Sequence, residues 1–310
     1  IFAGNGITAR IFSTHRATPE LSFALRETGA VTGVVISASH NPPSDNGFKA
    51  YWDDGGQVVP PHDRNIIEEV KAVGEITRLD FDEGVQKGLI HTLGEEIDTP
   101  YIGKLAELSL NSARDIAIVF TPLHGVGATS IVPALHKLGY QGLKVVAEQN
   151  TPDGNFPTVA NGVANPEDPN ALSLAISDAR ETDADLVLAS DPDADRLGCA
   201  LPHATKGWDA EPHELAINGN QIGVILAHYI LDTNQKTGTL PPRAVVCKTI
   251  VTTDLITLIA KHFHANPVDN LLVGFKYIAE VINNLAEDET FLFGTEESHG
   301  YLSGDFVRDK

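Results

Sequence analysis

Ile116-Ala117-Ile118-Val119-Phe120 is an unbroken apolar run, and no other stretch constrains the fold as much. A strand that is apolar at every position must be covered on both faces, as in a parallel sheet flanked by helices. Further strand-like, mostly apolar runs recur at Val31–Ile36, Leu143–Ala147, Leu186–Ala189, Ala244–Cys247, Leu271–Val273 and Thr290–Phe293. Helical patterns fall between them: Thr18–Thr28, the segment carrying Ile66, Ile67, Val70 and Val73, a helix ending at Leu138, then Ala171–Arg180, Ile222–Ile230, Asp254–Phe263 and Lys276–Leu285. This alternation predicts an α/β fold of successive domains with mixed or parallel sheets and a cleft between them. The 310 residues suffice for two or three domains of roughly 100–150 residues each. We place them at 1–104, 105–213 and 214–310.

Local signals refine this plan. Thr18 is the expected N-cap of the first helix, with Pro19 in its first turn and Glu20 at its positive end. Gly55-Gly56 reads as a turn, Val58-Val59 as a short strand, and His62-Asp63 as the cap of the next helix. The acidic stretch from Glu75 to Thr99 reads as surface helix and connection. Thr121-Pro122-Leu123-His124-Gly125-Val126-Gly127 is a turn whose glycines let its backbone approach a neighbour or a ligand. It matches neither the Rossmann nor the P-loop pattern. The long loop from Gln149 to Pro169 is of the length that functional loops reach.

Three strand exits carry polar chemistry. After Val31–Ile36, expected to be a buried strand, come Ser37-Ala38-Ser39-His40-Asn41-Pro42 and then Asn46-Gly47-Phe48-Lys49, a stiff loop with a hydroxyl, an imidazole and an amine. After Leu186–Ala189 comes Ser190-Asp191-Pro192-Asp193-Ala194-Asp195-Arg196. In an extended loop those alternating carboxylates converge on one side, where they repel unless a cation holds them. An all-oxygen, anionic set favours Mg²⁺ over Zn²⁺. The alternative is an acidic turn paired with Arg196. An EF-hand is excluded, because its sixth and twelfth loop positions fall on Arg196 and Pro202. After Thr290–Phe293 comes Gly294-Thr295-Glu296-Glu297-Ser298-His299-Gly300, where Glu296 and Ser298 alternate and can take neighbouring hydroxyls of a sugar. Arg308-Asp309-Lys310 then adds basic groups suited to a phosphate. A cation site beside a nucleophilic hydroxyl suggests phosphoryl transfer, with Ser39 as acceptor and Lys49 as base or phosphate ligand.

Charge and composition narrow the partners. Lys+Arg total 22 against 42 Asp+Glu, a net charge of −20 that disfavours nucleic acid and anionic membrane. No stretch approaches the ~20 apolar residues of a membrane span, and no basic-then-apolar leader opens the chain. Cys199 and Cys247 sit in apolar contexts and read as buried free thiols, which favours the cytoplasm. The chain lacks methionine and opens on Ile1, as expected of a segment of a longer polypeptide.

In series, the Ser37–Pro42, Asp191–Arg196 and Gly294–Ser298 motifs resemble the α-D-phosphohexomutases. The likeness is to the phosphoglucomutase/phosphomannomutase type, including the phosphopentomutase-like branch with Asn46–Tyr51 and Gly274-Phe275-Lys276-Tyr277. The resemblance covers essentially the whole chain. It implies that Ser39 carries a phosphate and that Mg²⁺ is held by that group with Asp191, Asp193 and Asp195. It also implies a sugar 1,6-bisphosphate that reorients as activator and intermediate. Catalytic roles fall on Ser39, Lys49, His40 and Lys310, and substrate contacts on Glu296, Ser298, Arg196 and Lys276. The partners implied are small sugar phosphates, glucose foremost, with mannose and pentose phosphates as alternatives. Oligomeric state does not follow from any of this.

Departures from the family pattern are Ser37 where Thr is usual and an extra residue or so between Ser298 and Arg308. The N-terminal Gly-Thr-Ser/Ala-Gly-Arg-Gly segment and the fourth domain with its phosphate-gripping loop are expected to lie outside this stretch. Two other readings remain: a Mg²⁺-dependent phosphatase of the haloacid type, and an inert regulatory paralogue.

Overall fold

Four sheets organise the chain in the computed structural model, which describes residues 1–310. The first part holds β1 (Ala9–Phe12), α1 (Thr18–Thr28), β2 (Thr32–Ile36), β3 (Phe48–Trp52), α2 (His62–Ala72), α3 (Phe81–Gln86), β4 (Ile90–Leu93) and α4 (Glu95–Glu107). β1 and β4 pair in parallel, while β2 and β3 form a separate antiparallel ribbon. The second part contains β5 (Ile118–Thr121), α5 (Ile131–Leu138), β6 (Leu143–Val145), α6 (Ser173–Thr182), β7 (Leu186–Ser190), β8 (Leu197–Ala200), α7 (Pro212–Leu215) and β9 (Ala216–Ile217). Its sheet runs β6-β5-β7-β8-β9, parallel through β7 and antiparallel beyond. The third part contains α8 (Gly219–Thr237), β10 (Ala244–Thr249), α9 (Leu255–His262), β11 (Asn266–Leu271), α10 (Phe275–Asn283), β12 (Thr290–Thr295) and β13 (Tyr301–Ser303). Its sheet runs β11-β10-β12-β13, with only the last pair antiparallel.

The mixed-sheet α/β architecture expected from the alternation is what the chain adopts. β5 is buried at all four positions and has parallel neighbours on both sides, as its apolar run requires. α8 starts where Asn218 accepts from the Gln221 N–H and the Gln221 side chain accepts from the Asn218 N–H, both at 3.0 Å. This reciprocal cap satisfies two otherwise orphaned donors. The helix stops at Gly238, whose φ of 72° suits a residue without Cβ.

The first and third parts share one apolar core. Phe23 of α1 and Ile97 and Tyr101 of α4 belong to the same cluster as Val245, Phe275, Ile278, Phe291 and Leu302. The Phe23 and Tyr101 ring centroids are 5.4 Å apart, and Phe306 closes on both. Truncating a buried Phe of this kind costs roughly 3–5 kcal/mol.

Several local expectations fail for identifiable reasons. Val31–Ile36 is no buried parallel strand: β2 is half exposed, and Val31 and Ile36 are exposed, because its only partner is β3. Val58-Val59 forms no strand, although the Val58 N–H donates to Ala50 O. Thr18 does not cap α1, since Ala17 holds that position without a side-chain bond. Glu20 does stand in the first turn of α1, as expected, and is buried there. Neither His62 nor Asp63 caps α2, where Pro61 is the N-cap. The stretch from Glu75 to Thr99, expected as surface helix and connection, holds α3 and the start of α4 but also β4, which pairs with β1 and which the sequence pattern does not mark. The strand expected at Leu271–Val273 lies earlier, at Asn266–Leu271. Its Pro267 is tolerated because β11 is a sheet edge, and Leu272 and Val273 are exposed.

Each of the three polar strand exits closes an antiparallel hairpin. The loops join β2 to β3, β7 to β8 and β12 to β13. β8 and β13 leave no strand signal in the sequence because each is a short segment of ordinary composition.

Candidate active site

Asp191, Asp193 and Asp195 sit in the β7–β8 hairpin and are all buried. One carboxylate oxygen from each lies within 4.8 Å of the others. Their convergence comes from a tight turn, not from extended alternation. Ala194 adopts a left-handed φ of 55°, and the Ala194 N–H donates to Asp191 O at 2.9 Å. Asp191 Oδ1 accepts from the Asp195 and Arg196 N–H groups, both at 3.0 Å, which turns its other oxygen outward.

The turn is braced from beneath by the Thr121–Gly127 loop. The Val126 N–H donates to Pro192 O at 2.9 Å. A Cβ on Gly125 would lie 2.2 Å from Pro192 Cα, so the close approach requires glycine. That glycine-rich turn therefore serves a neighbouring loop. From the other side, the Thr18 N–H at the start of α1 donates to Asp193 O at 2.9 Å.

Across from the carboxylates, Ser39 adopts a left-handed φ of 54° and directs its Oγ to Asp191 Oδ2. A β-substituted residue in that region stores strain, as functional positions often do. The His40 ring reaches Ser39 Oγ through Nδ1 at 3.1 Å. Burial, and then the Arg196 charge, hold its pKa below the ordinary 6.5. Ser37 was not expected in the site. Its Oγ accepts from the Ser39 N–H and donates to Asp193 Oδ2, both at 2.8 Å. The Ser-Ala-Ser spacing was the available signal, because residues two apart in an extended loop share a side.

Lys49 lies on β3 rather than in the loop. Its Nζ donates to Asp193 Oδ2 at 2.8 Å and Asp195 Oδ2 at 2.9 Å. Burial works against the ammonium, but Asp195 and Asp193 outweigh it and raise the pKa. Asp193 responds in kind: burial opposes its charge, Lys49 reverses this, and the carboxyl is held at about 2. Asp191 is pushed well up, by burial first and then by Asp195 and Asp193. Asp193 Oδ1 is buried without any partner. A crowded set of hard oxygens, one of them orphaned, fits a small divalent cation.

A cleft of about 480 Å³ opens beside this centre. Its walls bring together Lys49, Asp195, Arg196, Lys276, Glu296, Ser298 and Lys310. Ser39, His40, Asp191 and Asp193 are not among its lining residues and join it through Lys49 and Asp195. Glu296 accepts from the Gly274 N–H at 2.8 Å and from Lys310 Nζ at 3.1 Å. Burial disfavours the Lys310 ammonium, yet Asp195 and Glu296 raise its pKa overall. Lys276 Nζ is 3.6 Å from Asp63 Oδ2 of α2, across the cleft mouth. Arg196 pairs with Glu167 from the long loop, and its Nε is buried without a hydrogen bond, 4.0 Å from Asp195 Oδ1. Nothing in the sequence marked Glu167 for this. His299 ties the β12–β13 loop to the β7–β8 hairpin, its Nδ1 being 2.9 Å from Leu197 O. Arg308 does not face a phosphate. It is buried against Asn283 Oδ1 at 2.6 Å and Asp305 O at 2.6 Å.

Models of the phosphoglucomutase/phosphomannomutase alpha/beta/alpha domains match in order: domain I at residues 1–77, domain II at 99–205 and domain III at 218–310. A phosphoglucomutase of Staphylococcus epidermidis is 37% identical over 313 residues, covering 100% of this chain and 55% of that protein. A Haemophilus influenzae protein carried under the name of a phosphomannomutase is 39% identical over 318 residues, covering 100% of this chain and 60% of its own length. Among solved structures, one from Thermus thermophilus assigned to the phosphomannomutases superposes with a TM-score of 0.77 at 25% identity, covering 99% of this chain and 63% of that one. The chain thus spans about half the length of the curated relatives it matches. Three consecutive α/β units around one carboxylate-lined cleft define the phosphohexomutase class of fold. The chain belongs to the phosphoglucomutase/phosphomannomutase family.

Proposed function

We propose that the protein containing this chain is a sugar-phosphate mutase that interconverts 1- and 6-phosphates of a hexose, glucose first. One observation carries the reading: the Ser39 hydroxyl is hydrogen-bonded to Asp191 within a group of three buried carboxylates. Family membership supports it, as do relatives named for glucose and mannose phosphates. Domain boundaries near 104 and 213 and a cytoplasmic location belong to the same proposal, the latter favoured by two free thiols. No helix is long and apolar enough to cross a membrane.

Asp191, Asp193 and Asp195 are the residues that would hold Mg²⁺, together with a phosphate on Ser39. When bound, Mg²⁺ supplies charge neutralisation for the transferring oxygens. Ser39 Oγ gives up its phosphoryl group to a sugar hydroxyl. The Oγ–P bond breaks, the sugar O–P bond forms, the hydroxyl loses a proton and Ser39 Oγ gains one. Lys49, held as an ammonium between Asp193 and Asp195, passes a proton to Ser39 Oγ and takes the sugar hydroxyl's proton in return. His40, neutral at pH 7, orients Ser39 Oγ. Glu296 and Ser298 take sugar hydroxyls, while Lys310, Lys276 and Arg196 face the anionic end. The resulting 1,6-bisphosphate reorients and returns its other phosphate to Ser39.

The test uses full-length protein with glucose 1-phosphate, catalytic glucose 1,6-bisphosphate and Mg²⁺. We expect glucose 6-phosphate without net release of inorganic phosphate, and loss of turnover and of phosphate labelling in Ser39→Ala. Net hydrolysis, or full activity in Ser39→Ala, would overturn the reading.

A further inference from the structure

Glu297 stands between the two residues proposed to take the sugar, yet it faces away from the cleft. Glu296 and Ser298 line the cleft, and Glu297 does not. Its Oε2 instead accepts from Thr252 Oγ1 at 3.0 Å and Thr249 Oγ1 at 3.2 Å, at the exit of β10. The Glu297 N–H donates back to Thr252 Oγ1 at 3.2 Å, and the two threonine hydroxyls are 2.7 Å apart. Both threonines are buried. Beneath them Lys248, 2% exposed, donates to Thr252 O at 2.9 Å and meets Asp254 Oδ1 at 3.1 Å.

We propose that Thr249 and Thr252 are positioning residues that set the sugar-binding edge of the β12–β13 loop through Glu297. Glu297 and Ser298 lie in the tight turn after β12, closed where the Glu296 N–H donates to Gly300 O at 2.9 Å, so fixing the Glu297 side chain on the far side restrains the angle of the two residues beside it. A loop tip of this length, left to itself, samples several arrangements. A residue whose carboxylate accepts from two buried hydroxyls and whose N–H donates to one of them holds one, so less ordering remains for the ligand to impose. The buried ammonium of Lys248 fixes the carbonyl of the turn that presents both hydroxyls. This inference rests on the mutase reading, since it takes Glu296 and Ser298 as the sugar ligands.

The test compares Thr252→Val, Thr252→Ser and Glu297→Gln in full-length protein by steady-state isomerisation of glucose 1-phosphate. Thr252→Val and Glu297→Gln are expected to raise KM about tenfold, a loss of about 1.4 kcal/mol in binding, with kcat within about twofold. Thr252→Ser, which restores the hydroxyl, is expected to return KM to within about twofold of the parent. A variant that merely folds poorly lowers apparent kcat through the active fraction and leaves KM alone. That result in all three variants, or an unchanged KM, overturns the proposal. So does a Thr252→Ser no better than Thr252→Val. A parent protein that forms no glucose 6-phosphate would instead overturn the mutase reading and this inference with it.

Discussion

The Lys49 ammonium lies 2.8 Å from Asp193 Oδ2, joining β3 to a hairpin 144 residues further along the chain. The same ammonium also pairs with Asp195, so one cation serves two of the three carboxylates. Replacing it with Met leaves three buried carboxylates facing one another without that counter-charge. We expect Lys49→Met to lower turnover by roughly 10²–10⁴, the range for a lost proton-transfer group. A melting temperature in metal-free buffer should fall as well. Stopped-flow turnover and calorimetry check both, and a variant that keeps the parent rate excludes Lys49 from the chemistry.

Divalent cation should stabilise the chain through the same carboxylates. At about 100 times its dissociation constant, a ligand specific to the folded state adds about 2.7 kcal/mol. Mg²⁺ is therefore expected to raise the melting temperature by several degrees, and a chelator to reverse it. Asp193→Asn should abolish most of that response. Its Oδ1, buried and unpartnered, is the atom most clearly suited to a cation.

Gly125→Ala tests the brace beneath the hairpin. Its new Cβ would meet Pro192 Cα at 2.2 Å, and both atoms belong to or adjoin backbone that cannot swing aside. Overpacking of this sort costs typically about 1–3 kcal/mol. The Mg²⁺-induced rise in melting temperature should shrink together with stability. A variant with parent-like stability and metal response would show that the contact relaxes.

Stability should also depend on pH through Glu20. Its carboxyl is raised from 4.5 to about 8 by burial first and then by Asp98, which Arg16 grips with bonds of 2.9 and 2.7 Å. The folded state therefore keeps a proton that the unfolded chain has already lost. Stability falls as pH rises from about 4.5 to about 8 and levels off above, by at most on the order of 5 kcal/mol. Urea titrations at pH 5, 7 and 9 measure the slope. Glu20→Gln should flatten it, and an unchanged slope would place the titrating group elsewhere.

The sequence by itself determined the α/β class, because five apolar residues in a row at Ile116–Phe120 can only be covered on both faces. It also singled out Ser39, the three aspartates, Glu296 and Ser298, since each follows a recognisable strand with chemistry that no turn requires, and Lys49, although it read that residue as part of a loop. It missed β1, β3, β4, β8, β9 and β13, short strands defined by their partners rather than by their own pattern. Arg308 was read as a phosphate ligand on charge alone, whereas packing against Asn283 removed it from the cleft. Tertiary structure alone decided that the aspartates converge through a turn at Ala194, that Ser37 joins them, and that Thr249 and Thr252 stand behind Glu297. Most of these contacts join residues far apart in the chain. Local sequence pattern records which face of an element is buried, and only packing sets which partner it meets.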